Sequence, residues 1–133
     1  WEDDDAIYRD VLVKHTQSFS ALHEIILKAF EFDQIHSATF YRSNDIWKRG
    51  REISKEVYDK EYVVPPLIMS ETGIGTEIID TNQKFIYVYD FVKNWVFLVE
   101  LISVSKEENI KRYARKAIET IKRLPIEVIV KQE

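Results

Sequence analysis

Residues 85–102 read FIYVYDFVKNWVFLVELI. In the first part of this stretch Phe85, Tyr87 and Tyr89 fall on one side of an extended chain and Ile86 and Val88 on the other, because side chains alternate along a strand. Trp95 to Ile102 has the same β-forming composition. Between the two runs, Asp90-Phe91-Val92-Lys93-Asn94 has the length of a hairpin loop. Both faces of the pair are apolar, so these strands are expected to be central in a sheet or covered on both sides.

Upstream of the hairpin the pattern changes period. Ile7 to Lys14 reads as a strand, and Ser18 can cap a following helix by accepting a hydrogen bond from a free N–H of its first turn. Phe19, Leu22, Ile26, Ala29 and Phe30 recur at helical spacing, which predicts a helix over about residues 18–31 that frays near Glu31 to Asp33. His23 lies beside that stripe and reads as a half-buried, hydrogen-bonded histidine. Ser37 to Arg42 predicts a second strand ending in the turn-like Ser43-Asn44-Asp45. Trp47 to Ile53 predicts a third, with Gly50 as a bulge. Val63-Val64-Pro65-Pro66 demands an extended, turn-rich backbone. Gly73-Ile74-Gly75 reads as a loop, with Thr76 capping a helical turn over Glu77 to Asp80. It lacks the preceding strand and the Lys-Ser/Thr pair of a phosphate cradle.

Downstream, Ile110, Tyr113, Ala114, Ala117, Ile118, Ile121 and Leu124 line one side of an amphipathic helix over about residues 107–123, stopped by Pro125. Ile126 to Val130 reads as a last strand or an extended tail. Together these elements predict one α+β domain over residues 1–133. An antiparallel or mixed sheet carries the 18–31 helix on one face, and a C-terminal amphipathic helix follows it. The core falls in residues 7–104, and the basic helix and tail in residues 105–133.

Composition narrows the chemistry. The chain has 133 residues, 45% apolar and 32% charged, which is the balance of a globular protein. It has no Cys, which removes disulfide scaffolds, thiolate metal sites and cysteine nucleophiles together. Apolar runs are interrupted by charge too often to span a bilayer. A soluble, cytoplasmic protein with no membrane partner is expected. The net charge of −4 is uneven, with an acidic body and a basic segment near the C-terminus.

No nucleophilic constellation is present. There is no Gly-x-Ser-x-Gly elbow, and the three histidines are scattered at positions 15, 23 and 36. Asp33 and His36, joined by Asp90 through the fold, form the one combination with metal-ligand character. The preferred reading makes Asp33 part of the helix-end turn and His36 the start of a strand, with no metal and no cofactor. Tyr89, Asp90 and Trp95 at a hairpin end can instead form a recognition patch, with Asp33 and His36 beside it.

Three ordered pieces carry a family resemblance. They are Phe19 to Phe30 with its Leu22-His23-x-x-Ile26 pattern, followed by Phe32-Asp33 and His36; then Phe40-Tyr41; then Phe85 to Asp90 with Phe91 and Trp95. Over about residues 7–104 the chain resembles the Ri-plasmid open-reading-frame-three-like family of insertion-element passenger proteins. The nearest likeness is to its divergent branch from Bacteroidetes-type bacteria, with a Tyr-Asp-Phe-x-x-x-Trp hairpin. The family's His-x-His pair is reduced here to His36 and Ala38, and its Gly-Asp turn to Val92-Lys93. A metal or acid–base site built on the fuller motif would therefore be stripped in this chain. The resemblance implies a bacterial plasmid or transposon passenger and carries no established reaction.

These readings lead to two functional expectations. The first is a non-enzymatic binding or adaptor domain acting through a protein–protein surface at Asp33, His36, Tyr89, Asp90 and Trp95. The second is contact with nucleic-acid phosphates through Lys111, Arg112, Arg115, Lys116, Lys122 and Arg123, the basic side of the C-terminal helix. The family pattern also places a strand before the equivalent of Ile7–Lys14. A further N-terminal strand of roughly 8–10 residues is therefore expected upstream. Without it the 7–14 strand presents an open edge through which a second copy could pair.

Overall fold

The computed structural model describes residues 7–79, 82–103 and 126–132. Its elements are β1 (Ile7–Val13), α1 (Phe19–Ala29), β2 (Ala38–Ser43), β3 (Glu52–Ser54), β4 (Leu67–Ile68), β5 (Lys84–Tyr89), β6 (Trp95–Ser103) and β7 (Ile126–Gln132). Two short 3-10 turns, Met69–Glu71 and Ile74–Glu77, lie between β4 and β5. The strands form a single sheet in the order β1-β7-β6-β5-β2-β3-β4. Every pairing is antiparallel except β3 with β4, so the sheet is mixed.

The doubly apolar run sits where its composition requires. β5 is the middle strand, with Tyr87 opposite Phe40 of β2 on one side and Phe97 of β6 on the other. All of Phe85 to Tyr89 is buried, on both faces. Phe85, Tyr87 and Tyr89 face α1, where Phe19 meets Phe40 and Phe85 edge-on, each at a centroid distance of 5.2 Å. Leu22, Ile26 and Leu27 fill the rest of that interface and are buried. Ile86 and Val88 are buried on the opposite face, outside this cluster.

The helix begins as its sequence predicts and ends more sharply. Ser18 is extended, and its Oγ accepts from the Ala21 N–H at 3.3 Å. At the other end Phe32 N–H donates to Leu27 O at 2.8 Å and Glu31 N–H to Lys28 O at 3.2 Å, while Glu31 takes φ 59°. This paired closure through a left-handed residue is a Schellman motif, which satisfies carbonyls that a frayed end would leave to water. The Arg9 guanidinium of β1 adds a bond to Ala29 O at 3.2 Å.

Two expectations are corrected. The third strand is not Trp47–Ile53 but Glu52–Ser54, because residues 44–48 wrap around a side chain. Asn44 Oδ1 accepts from the Ile46 and Lys48 N–H groups, and Trp47 adopts φ 57°. The bulge at Gly50 is real: Gly50 N–H donates to Arg42 O while Arg42 N–H donates to Arg51 O, so two residues face one. Second, Thr76 does not cap a turn over Glu77–Asp80. It lies inside the Ile74–Glu77 turn, its hydroxyl donating to Gly73 O at 2.7 Å. Of the two readings of the C-terminal segment, strand or tail, the structure has the strand: Ile126–Gln132 is inserted between β1 and β6. Among the described residues β1 pairs on one side only, with β7. The expected helix over residues 107–123 lies outside the described residues.

Two stability outcomes follow from this packing. Leu22→Ala and Ile26→Ala are each expected to destabilise the protein by about 2–5 kcal/mol in urea denaturation, through the cavity left beneath the sheet. Glu31→Gly is expected to raise stability by up to about 1 kcal/mol, because glycine adopts the left-handed conformation without a Cβ penalty. A lowered melting temperature for Glu31→Gly would contradict the assigned helix closure.

Candidate functional site at the hairpin end

The Schellman closure turns the chain so that Phe32 and Asp33 arrive at the end of the sheet where β5 hands over to β6. There the backbone joins two segments. Asp90 N–H donates to Ser37 O at 2.7 Å, and Phe91 N–H to Ser37 Oγ at 2.9 Å. Asp90 and Asn94 take φ 59° and 58°, and Asn94 N–H closes the turn on Asp90 O at 2.6 Å. Asp90 Oδ1 accepts from Val92 N–H at 3.2 Å, so the carboxylate also organises its own loop.

Four of the five sequence-predicted residues meet here. The Tyr89 hydroxyl lies 2.5 Å from Asp33 Oδ1 and 2.8 Å from Asp33 O, and accepts the His36 N–H at 3.1 Å. With a single proton to give, the phenol donates to the carboxylate, the shorter contact. That bond holds the Asp33 carboxyl below its ordinary range. Burial, reinforced by the bond to Asp33, pushes the Tyr89 phenol upward. The His36 imidazole stands between two carboxylates, with Nε2 3.6 Å from Asp33 Oδ2 and Nδ1 3.9 Å from Asp90 Oδ2. Its ring meets Tyr89 edge-on at 5.8 Å.

Trp95 joins through an intermediary. Its ring meets Phe32 edge-on at 5.2 Å, and Phe32 in turn meets Tyr89 and Phe97. Phe32 is the site residue that the pattern left unassigned. It precedes Asp33 directly, yet only the helix closure brings it over the hairpin.

The arrangement does not assemble a metal centre. The two nitrogens of His36 address different carboxylates, so Asp33, His36 and Asp90 do not aim their lone pairs at one point. Among the described residues no group of three or more His, Asp or Glu side chains could hold a metal ion.

A second polar pair lies deeper. His23 is buried, and its Nδ1 is 2.5 Å from the Tyr87 hydroxyl. Burial, helped by the positive charge of Lys55, lowers the histidine pKa from 6.5 to about 4. Burial also raises the Tyr87 phenol, so the phenol keeps its proton and donates a hydrogen bond to the neutral imidazole. The expected hydrogen-bonded histidine is found, fully rather than half buried, and its partner is a strand residue no local pattern could name.

Fold and site together define a small α+β domain: a mixed sheet with a helix on one face and an acid–imidazole–phenol cluster locked at a hairpin end. The chain belongs to the plasmid pRiA4b ORF-3-like protein family, whose model matches residues 2–129, beyond the span over which the motifs alone suggested it. No curated protein and no solved structure matches the chain. Among the described residues no helix is long and apolar enough to cross a membrane. The basic residues Lys111, Arg112, Arg115, Lys116, Lys122 and Arg123 lie outside the described residues.

The His23–Tyr87 pair makes stability depend on pH. The unfolded chain binds the histidine proton near pH 6.5, whereas the folded chain resists it until about pH 4. The histidine contribution is therefore complete above pH 6.5 and is lost as pH falls toward 4, by roughly 3 kcal/mol. Urea denaturation between pH 7 and 4.5 is expected to show this loss, and His23→Gln to flatten it. An equal slope in both proteins would remove His23 as its source.

Proposed function

We propose that this protein is a non-enzymatic adaptor domain of the bacterial cytoplasm that docks a protein partner at the β5–β6 hairpin end. The observation that carries the reading is an apolar rim around the locked polar cluster. Ile35 and Val92 are 79% and 94% exposed, and Trp95, seated on Phe32, is 36% exposed. The hydrogen bonds that Ser37 accepts from Asp90 and Phe91, and that Asp33 accepts from Tyr89, hold these segments in place before any partner arrives, which reduces the ordering cost of association. Trp95, held on Phe32, is of the residue type that most often dominates binding energy at interfaces. Among the described residues β1 is an edge strand, which supports a second copy adding there as a further contact.

The test places a photo-crosslinking side chain at Val92 in cells, with Ile46, also 79% exposed, as the control position. A discrete adduct is expected from Val92 and not from Ile46. Trp95→Ala is expected to weaken the recovered complex by about 2 kcal/mol or more, with the melting temperature little changed. Adducts indistinguishable between the two positions would overturn the reading, as would a measured turnover abolished by His36→Ala.

A further inference from the structure

A separate cleft of about 520 Å³ opens beside β2 and β3, lined among others by Tyr41, Arg49, Arg51, Lys60 and Tyr62. We propose that it binds a small planar ligand carrying one phosphate or carboxylate group.

The charge arrangement points to the anion. Neither Arg49 nor Arg51 has a carboxylate partner among the described residues. Arg49 lies over the Tyr41 ring at 4.9 Å, and Arg51 donates from Nη2 to Pro65 O at 3.2 Å. Arg51 Nε is a buried nitrogen without a hydrogen-bond partner. Holding a guanidinium half out of water with no counter-charge is unfavourable, and an anion that reaches the Arg51 Nη groups from the cleft supplies that charge even though Nε itself is sealed off. Lys60 is already answered by Glu52 at 2.9 Å, which also accepts from the Thr39 hydroxyl. The remaining acid of the lining, Glu61, is exposed.

The walls supply the planar requirement. Tyr41 and Tyr62 present rings to the Lys60 ammonium at 5.8 and 4.9 Å, and Arg49 adds a flat guanidinium. A ligand ring can extend this stack on the exposed Arg49 guanidinium, which already lies over Tyr41, while its acidic group reaches the arginines. Gly50 fixes the two arginines relative to Tyr41. A Cβ there would stand 2.8 Å from Arg42 O, so the bulge that carries Arg49 and Arg51 past β2 requires glycine. The cleft volume falls in the range of small-molecule sites, roughly 300–1,000 Å³.

The experiment titrates the full chain by amide NMR with adenosine 5′-monophosphate and indole-3-acetate, which distinguish phosphate from carboxylate. Adenosine and inorganic phosphate serve as the half-ligands. Saturable shifts are expected at the amides of Gly50, Arg51, Lys60 and Tyr62. At least one ring-bearing anion should bind about tenfold more tightly than either half-ligand. Arg49→Gln and Arg51→Gln are each expected to lose about tenfold in affinity, as removal of one charged hydrogen bond implies. If Arg51→Gln lowers the melting temperature, the exposed Arg49 carries the comparison. Trp95→Ala is expected to bind unchanged, which separates this site from the hairpin end. Non-saturating shifts, binding by phosphate alone that is equally tight, or full affinity in a folded Arg49→Gln protein would overturn the proposal.

Discussion

The structure depends on burying β5 from both sides while satisfying two tyrosine hydroxyls inside it. Tyr87 and Tyr89 bring large apolar areas to the helix-facing layer, but each also carries an O–H that must find a partner once water is excluded. Tyr87 finds His23 and Tyr89 finds Asp33. Apolar contact alone would let α1 rotate or slide over the sheet at modest cost. The His23 bond allows one rotation of the helix, and the Asp33 bond allows one path for the chain leaving it. Hydrophobic burial supplies the driving force, and these two hydrogen bonds select a single arrangement.

The same two bonds explain why the hairpin end is rigid. Glu31 accepts a left-handed conformation so that Phe32 and Asp33 can turn back over the sheet. Ser37 then binds the loop strand to the hairpin through both its carbonyl and its hydroxyl. At the opposite end ion pairs play the comparable role. Arg42 reaches Glu77 at 2.9 Å to hold the second 3-10 turn against β2, and Lys84 bridges Asp45 and Glu100. The sheet is therefore fastened at both ends by polar contacts and filled between them by aromatic packing.

Much of the architecture was readable without coordinates. The 85–102 stretch announced a central hairpin because apolar residues on both faces of its two strands leave no face for water. The 19–30 stripe and Ser18 announced the helix, since both signals lie within one or two turns. Local rules failed where a side chain competed with the regular pattern. Asn44 drew Trp47 and Lys48 out of the expected third strand, and the backbone bonds of Glu31 and Phe32 closed a helix end that composition read as frayed.

The sequence by itself determined the α+β class, the central hairpin, the capped helix and the set of residues worth watching at positions 33, 36, 89, 90 and 95. Alternation, helical spacing and capping act between near neighbours, so they are written in the order of residues. Tertiary structure alone decided that β7 enters between β1 and β6, that His23 meets Tyr87 64 residues away, and that Arg49 and Arg51 share a cleft with Lys60 and Tyr62. Those contacts join segments whose separation in sequence carries no periodic signal. They exist only because the covered faces of the sheet leave each strand one place to go.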